Sequence, residues 1–231
     1  MDKKYVVDLY RNAKVYPDKI TFIESYFSSK TEAAVLDVGF YGQGFGIDEP
    51  NWPHNIIRHH AQKCAGLDIA PELDELREEG MDYFRMCAEN FSLDEKFDVI
   101  YAGDLIEHLS NPGQFLDCCI KHIKPGGEIV GSTPNPYFLT SILQKLTYRL
   151  EPSVNHEHTC FINLPTFSEL VSRHGLRIER LDLLSRLGTA SVPGYLMRMA
   201  HCIYRGVSLF TKKYSETYMF ILVQTGFQAE S

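Results

Sequence analysis

The sequence predicts an α/β fold: one domain of 231 residues built on a mostly parallel sheet. Three observations carry that expectation. Five short apolar runs alternate with helix-like stretches, the pattern of strands joined by crossover helices. The first two runs close on acids, Asp37 and Asp68, and glycines follow the first. A content of 44% hydrophobic and 23% charged residues supplies one large core at ordinary globular composition.

Taken in order, residues 1–32 read as an N-terminal helical segment, with Tyr5–Phe27 helical and Pro17 either an interruption or a helix start. Ala33–Val38 is the first buried strand, because its apolar run is too short for a helix and ends in a glycine turn. Pro53–Lys63 is a helix with proline in its first turn, and Cys64–Ile69 a second strand. Pro71–Gly80 is bracketed by the proline and glycine that start and stop helices. Asp82–Met86 and Phe97–Ala102 are strands three and four. Asn111-Pro112 opens a helix over Gln114–Ile123, Pro125-Gly126-Gly127 marks a turn, and Glu128–Ser132 is the fifth strand. Thr166–His174 is a helix closed by Gly175, and Leu176–Leu184 and Tyr214–Thr225 are the last strands. Residues 33–184 form the expected core. Stretches 136–165 and 185–213 are lid or insert elements, with apolar helices at Phe138–Leu150 and Tyr195–Phe210.

Composition narrows the function. A net charge of -7 disfavours a nucleic-acid substrate, which calls for a basic surplus. The six cysteines form no C-x-x-C pair, so neither a zinc site nor a disulfide framework is expected. Residues 1–10 lack the apolar stretch of a signal peptide, and no run of about 18 apolar residues occurs. A cytoplasmic protein with reduced thiols is the expectation.

Asp37-Val38-Gly39, with Gly42, Gly44 and Gly46 beyond, lets backbone approach a ligand closely at the end of a strand. Asp68 closes the second strand, where a carboxylate can accept both hydroxyls of a ribose. Each signal is weak alone; glycine turns and surface aspartates are common.

The ordered series VLDVG, GLDIAPE, AENF, FDVIYAGDLIEHL and IKPGGEIVGSTPNP resembles class I S-adenosylmethionine-dependent methyltransferases, nearest the branch of ubiquinone-pathway and sugar O-methyltransferases. The resemblance covers about residues 33–184. It implies a Rossmann-like sheet of seven strands, the last antiparallel, with helices on both faces. It also implies S-adenosylmethionine as cofactor and S-adenosylhomocysteine as product. Asp37, Gly39, Phe40 and Gly42 match the segment beside the methionine end. Asp68 matches the ribose-binding acid and Ile69 the residue beside the adenine. Cys87, Ala88 and Glu89 match the adenine border. Ala102, Gly103 and Asp104 match the segment between cofactor and substrate. Two departures stand out: Phe40-Tyr41 replaces a glycine alternation, in a longer connection to Trp52, and Cys87 stands where many relatives have Asp.

Asp104, Glu107 and His108 would share one helix face at i, i+3 and i+4. They could brace the helix, supply a base, or hold a divalent cation. His158, in NHEHTCF with His156 on the same side of an extended strand, is the other candidate base or substrate contact; a structural loop histidine is the plainer alternative. An oxygen acceptor must lose a proton, so His108 and His158 favour O-methylation of a sugar or phenol hydroxyl, on a small-molecule or lipid- or carrier-linked acceptor. The two apolar helices, Phe138–Leu150 and Tyr195–Phe210, could form a lid, touch a membrane peripherally, or serve core or dimer packing. Two alternatives stand beside this reading. One is a non-catalytic scaffold that keeps the fold; the other is a nicotinamide-dependent oxidoreductase.

Overall fold

A computed structural model describes residues 3–42, 46, 49–74, 82–138, 155–184 and 212–226. The chain opens with helix α1 (Lys3–Asn12), a two-residue strand β1 (Val15–Tyr16) and helix α2 (Lys19–Phe27). The helical stretch is thus broken near Pro17, as expected, into two helices with a short strand between them. Asp18, not Pro17, starts the second: its carboxylate accepts from the Thr21 amide at 2.7 Å. Strand β2 (Ala34–Val38) leads through the glycine-bearing connection to α3 (Pro53–His60) and β3 (Lys63–Asp68). Lys63 therefore belongs to the strand, not the helix, and its amine pairs with Glu95.

Next come β4 (Tyr83–Arg85), β5 (Phe97–Gly103), a 3-10 turn at Ile106–His108, α4 (Pro112–His122) and β6 (Ile123–Pro134). The range of β6 includes Pro125-Gly126-Gly127, expected as a turn; Gly126 takes a φ of 78°, and the ladder passes from Phe97–Ile123 to Val99–Glu128, so extra residues of β6 loop out of register at that point. Asn111 caps α4 through the Gln114 amide, and Asn163 caps α5 (Leu164–Arg173) through the Thr166 amide. Gly175, at φ 69°, ends α5 before β7 (Leu176–Leu184), and β8 (Thr217–Gln224) closes the sheet. The sequence-predicted helices at 138–150 and 195–210, and most of the one at 71–80, lie outside the described residues.

The sheet has eight strands in the order β1-β7-β8-β6-β5-β2-β3-β4. All neighbours are parallel except β8, which is antiparallel to both β6 and β7. The seven expected strands are present, and Val15–Tyr16 adds an eighth at the edge. Alternate residues feed two cores. Leu36, Val38, Ile100 and Ala102 face one side with Phe115 and Phe220; Val35, Val99 and Tyr101 face the other with Phe22, Phe27 and Ile57. Burial on both faces is why these strands read as continuous apolar runs. Strand order reverses between β2 and β5. Such switch points leave a crevice beyond the carboxyl ends of the strands, and the candidate residues gather there.

Candidate active site

The Gly39 amide donates to Leu67 O at 2.8 Å, tying the turn after β2 to β3. Gly39 has a φ of 74°, and a Cβ there would stand 2.9 Å from Leu105. Gly42, at φ 72°, has no atom of the described residues within 4 Å of where its Cβ would be. Asp68 organises the same turn: its carboxylate accepts from the amides of Tyr41 at 3.0 Å, Ile69 at 2.7 Å and Ala70 at 3.1 Å. Ile69 beside it is 68% exposed, an apolar ledge next to a carboxylate.

Asp37 points inward. It is fully buried and meets His54 Nδ1 at 2.9 Å, with His54 equally buried. Burial pushes the Asp37 carboxyl up, and His54 opposes that shift. Phe40, matched by resemblance to the cofactor segment, has its ring in a small satellite core with Trp52, Leu73 and Tyr83. The ring lies against Gly66, where a Cβ would approach it to 2.6 Å. Trp52 Nε1 donates to Phe40 O at 3.0 Å.

At the end of β5, Asp104 has a φ of 50°, uncommon for a residue other than glycine. Its amide is held by Ser132, the Ser132 hydroxyl donates to its Oδ1 at 2.5 Å, and Lys19 from α2 pairs with its Oδ2. Asp104 is thus outside any helix, and the shared helical face does not form; Glu107 and His108 sit in a 3-10 turn instead.

Glu107 is 2% exposed, and neither carboxylate oxygen has a hydrogen-bond partner among the described residues. Burial, reinforced by the charge of Asp104, pushes its carboxyl up to about 7. The Thr133 hydroxyl lies close enough to oppose this shift, without meeting the carboxyl in good hydrogen-bond geometry. The Glu107 carbonyl receives the amides of Thr159 and Cys160, which brings the 155–163 segment alongside. That segment is a turn rather than a strand, so His156 is exposed while His158 is drawn in. His158 meets His108 edge to face, with ring centroids 4.8 Å apart. Burial, then the neighbouring His108, pulls the His158 pKa down. One ligand atom each from Glu107, His108 and His158 lies within 4.8 Å of the others. A buried carboxyl facing two imidazoles can exchange a proton with an acceptor or take a divalent cation.

Tyr218 stands opposite Thr133 in the β6–β8 ladder. It also lines a cleft of about 450 Å³ with Val6, Tyr10, Tyr137, Leu164 and Tyr214. The Tyr10 and Tyr218 hydroxyls bond at 2.9 Å, and Tyr218 donates to Asn135 at 2.6 Å.

Of the remaining sequence candidates, Ala102 and Gly103 end β5, and Ala88 is buried in the main core. Glu89 is engaged by the Asn111 amide at the cap of α4, and the Cys87 thiol lies 3.9 Å from Glu89. Sequence reasoning did not single out Lys19, His54, Trp52 or Thr133. Only the proline start of α3 lay near His54, and nothing local marks a partner 17 residues away.

A family model described as a methyltransferase domain matches residues 10–181. The mitochondrial ubiquinone biosynthesis O-methyltransferase of Dictyostelium discoideum is 30% identical over 181 residues, 69% of this chain and 53% of that protein. The enzyme of the same name from Pasteurella multocida is 30% identical over 162 residues, 63% of this chain and 66% of that protein. The match therefore spans about half to two thirds of the length of these relatives. The N-methyltransferase NodS of Bradyrhizobium japonicum, solved with S-adenosylhomocysteine, superposes at a TM-score of 0.53 and 11% identity, over 89% of this chain and 85% of NodS. No helix among the described residues is long and apolar enough to cross a membrane. Strand order, the glycine turn, the strand-end acids and the family match converge: the chain belongs to the class I S-adenosylmethionine-dependent methyltransferases.

Proposed function

We propose that this protein methylates a hydroxyl oxygen of a small or carrier-linked acceptor. The observation that carries the reading is the buried Glu107 carboxyl, without a hydrogen-bond partner among the described residues and with His108 and His158 donor atoms within 4.8 Å. The residues present fit S-adenosylmethionine. Among the described residues nothing stands where a Cβ on Gly42 would be, and Asp68 with exposed Ile69 offers a carboxylate beside an apolar ledge. Asp68 would hold the ribose hydroxyls and Ile69 the adenine face. When bound, the cofactor supplies a methyl group already activated on a sulfonium.

The protein's own task is then alignment and removal of one proton. Orientation alone can contribute roughly 7–11 kcal/mol. His158, its pKa lowered by burial and by His108, is neutral at physiological pH and can take the proton from the acceptor oxygen. Glu107 beside the pair can then stabilise the imidazolium. The tyrosine-lined cleft, whose Tyr218 stands opposite Thr133 in the β6–β8 ladder, offers the acceptor a largely apolar wall that carries tyrosine hydroxyls. The relatives named for ubiquinone biosynthesis agree with an oxygen acceptor.

A divalent cation held by Glu107, His108 and His158 is the second reading, favoured by the closeness of their donor atoms. It would lower the acceptor pKa in place of the histidine base. Loss of activity on dialysis against EDTA, restored by one added metal, would favour it.

Thermal unfolding with and without S-adenosylhomocysteine tests the reading as a whole. Ligand at about 100 times its Kd adds about 2.7 kcal/mol, a rise of roughly 5–11 °C at this chain length. The rise should vanish in Asp68→Ala, and NADH should give none. Absence of any rise in the natural chain at millimolar ligand would turn the reading toward a non-catalytic scaffold.

A further inference from the structure

The connection from Phe40 to Trp52 departs from a glycine-rich turn, and the structure shows a different device in its place. His54 is 0% exposed and sits among three aromatic rings: Phe40 at 4.6 Å, Trp52 at 5.0 Å and Tyr83 at 5.4 Å between centroids. Its Nδ1 meets the Asp37 carboxylate at 2.9 Å, while its Nε2 is buried with no partner among the described residues. Leaving an imidazole nitrogen buried and unbonded costs stability. A sequence selected for packing alone would place an apolar residue here, as it does at neighbouring Ile56 and Ile57. What the imidazole offers that a leucine lacks is a hydrogen bond to Asp37 from a fixed direction. Asp37 is two residues from Gly39, and Phe40, the next residue, is pinned by the same ring stack and by the Trp52 indole. One side chain thus fixes both the strand-end acid and the backbone turn that follows it.

We infer that His54 is a positioning residue for the cofactor: through Nδ1 it orients Asp37, and through its ring stack it holds the Gly39–Tyr41 turn. This rests on the cofactor site proposed above. The role needs a donor at the Nδ1 position, not merely a polar or a bulky side chain. Asparagine places its amide nitrogen near the Nδ1 position, and glutamine places it near Nε2, so the two variants separate position from polarity.

The test is calorimetric binding of S-adenosylhomocysteine to the full chain and to His54→Asn and His54→Gln. Melting temperature and the emission of Trp52, the chain's one tryptophan, are recorded for each. The expected result is binding within about threefold of the natural chain for His54→Asn, and a loss of about tenfold or more for His54→Gln. In turnover, that loss should fall on the KM for S-adenosylmethionine, with kcat nearly kept. Trp52 emission should change on ligand addition in the natural chain and in His54→Asn. Equal binding by both variants overturns the inference. Should His54→Gln fail to fold, Asp37→Asn, His54→Leu and the double variant Asp37→Asn/His54→Leu replace it. A double variant that binds no more weakly than Asp37→Asn supports action through Asp37; losses of the two single variants that add in the double overturn it. A natural chain that takes up no S-adenosylhomocysteine overturns the cofactor site and this inference together. Binding by the natural chain and His54→Gln alike overturns this inference alone.

Discussion

The Glu107 carboxyl and the Thr133 hydroxyl are buried side by side, and neither is satisfied among the described residues. In a fold whose other buried polar groups are mostly paired, that is where a ligand group has something to gain. It also makes Glu107 a source of pH-dependent strain.

Glu107→Gln should therefore stabilise the protein, in EDTA and without cofactor, at pH 8 but not at pH 4. The sign follows from the raised carboxyl. The folded chain keeps its proton up to about 7, while the unfolded chain releases it near 4.5, so stability falls as pH climbs through that window. The loss amounts to at most about 3 kcal/mol above pH 7. Melting curves at the two pH values check it; equal effects at both would sink the assignment.

Asp104 contributes to that shift by its charge. Asp104→Asn should move the upper end of the Glu107 window to lower pH. The lost pair with Lys19, which is partly exposed, should cost no more than about 1 kcal/mol. Melting temperature mapped against pH in the single variant reads both effects at once.

His158→Ala should lower kcat on a hydroxyl acceptor by about 10²–10⁴-fold if it is the base. Affinity for S-adenosylhomocysteine should change little. His108→Ala should act more mildly and shift the acidic limb of the pH–rate profile toward higher pH. It removes the neighbour that holds the His158 pKa down. Matched losses in cofactor affinity would point to a collapsed site instead.

Gly66→Ala should destabilise by about 1–3 kcal/mol, because the added methyl meets the buried Phe40 ring at 2.6 Å. A ring forced out of its stack should also disturb the turn at Gly39, so S-adenosylhomocysteine should bind more weakly. Phe40→Leu in the same chain should restore part of the stability, since it removes the atoms that collide. Calorimetric unfolding of the natural chain and the two variants gives the comparison.

How much of this was legible beforehand follows from what each element buries. Strands such as Val35–Val38 and Phe97–Ala102 are covered on both faces, so their composition alone announced them. The pair Val15–Tyr16 is too short to have a period and joins the sheet only because β7 offers it an edge. The spacing of Asp104, Glu107 and His108 was real, but the helix inferred from it was not. Asp104 is held at positive φ by Ser132, a residue 28 positions away. His158 came to Glu107 through backbone bonds from Thr159 and Cys160, an approach no local pattern encodes. The Asp37–His54 pair was invisible for the same reason: each half looks ordinary, and only the fold joins them.

The placement of β8 bears on how the molecule is made. The last described strand does not sit at a margin; it is the wedge between β6 and β7, antiparallel to both. Until residues Thr217–Gln224 leave the ribosome, β6 and β7 each present an open rim of backbone groups. The nascent chain can therefore hold the cofactor half, β2 to β6, while β7 waits unpaired on that side. Tyr218, opposite Thr133 and lining the tyrosine-walled cleft, arrives with the wedge. The cleft that Tyr218 lines is thus completed only when β8 is in place, and a ribosome stalled before that point would yield a chain with two sticky edges.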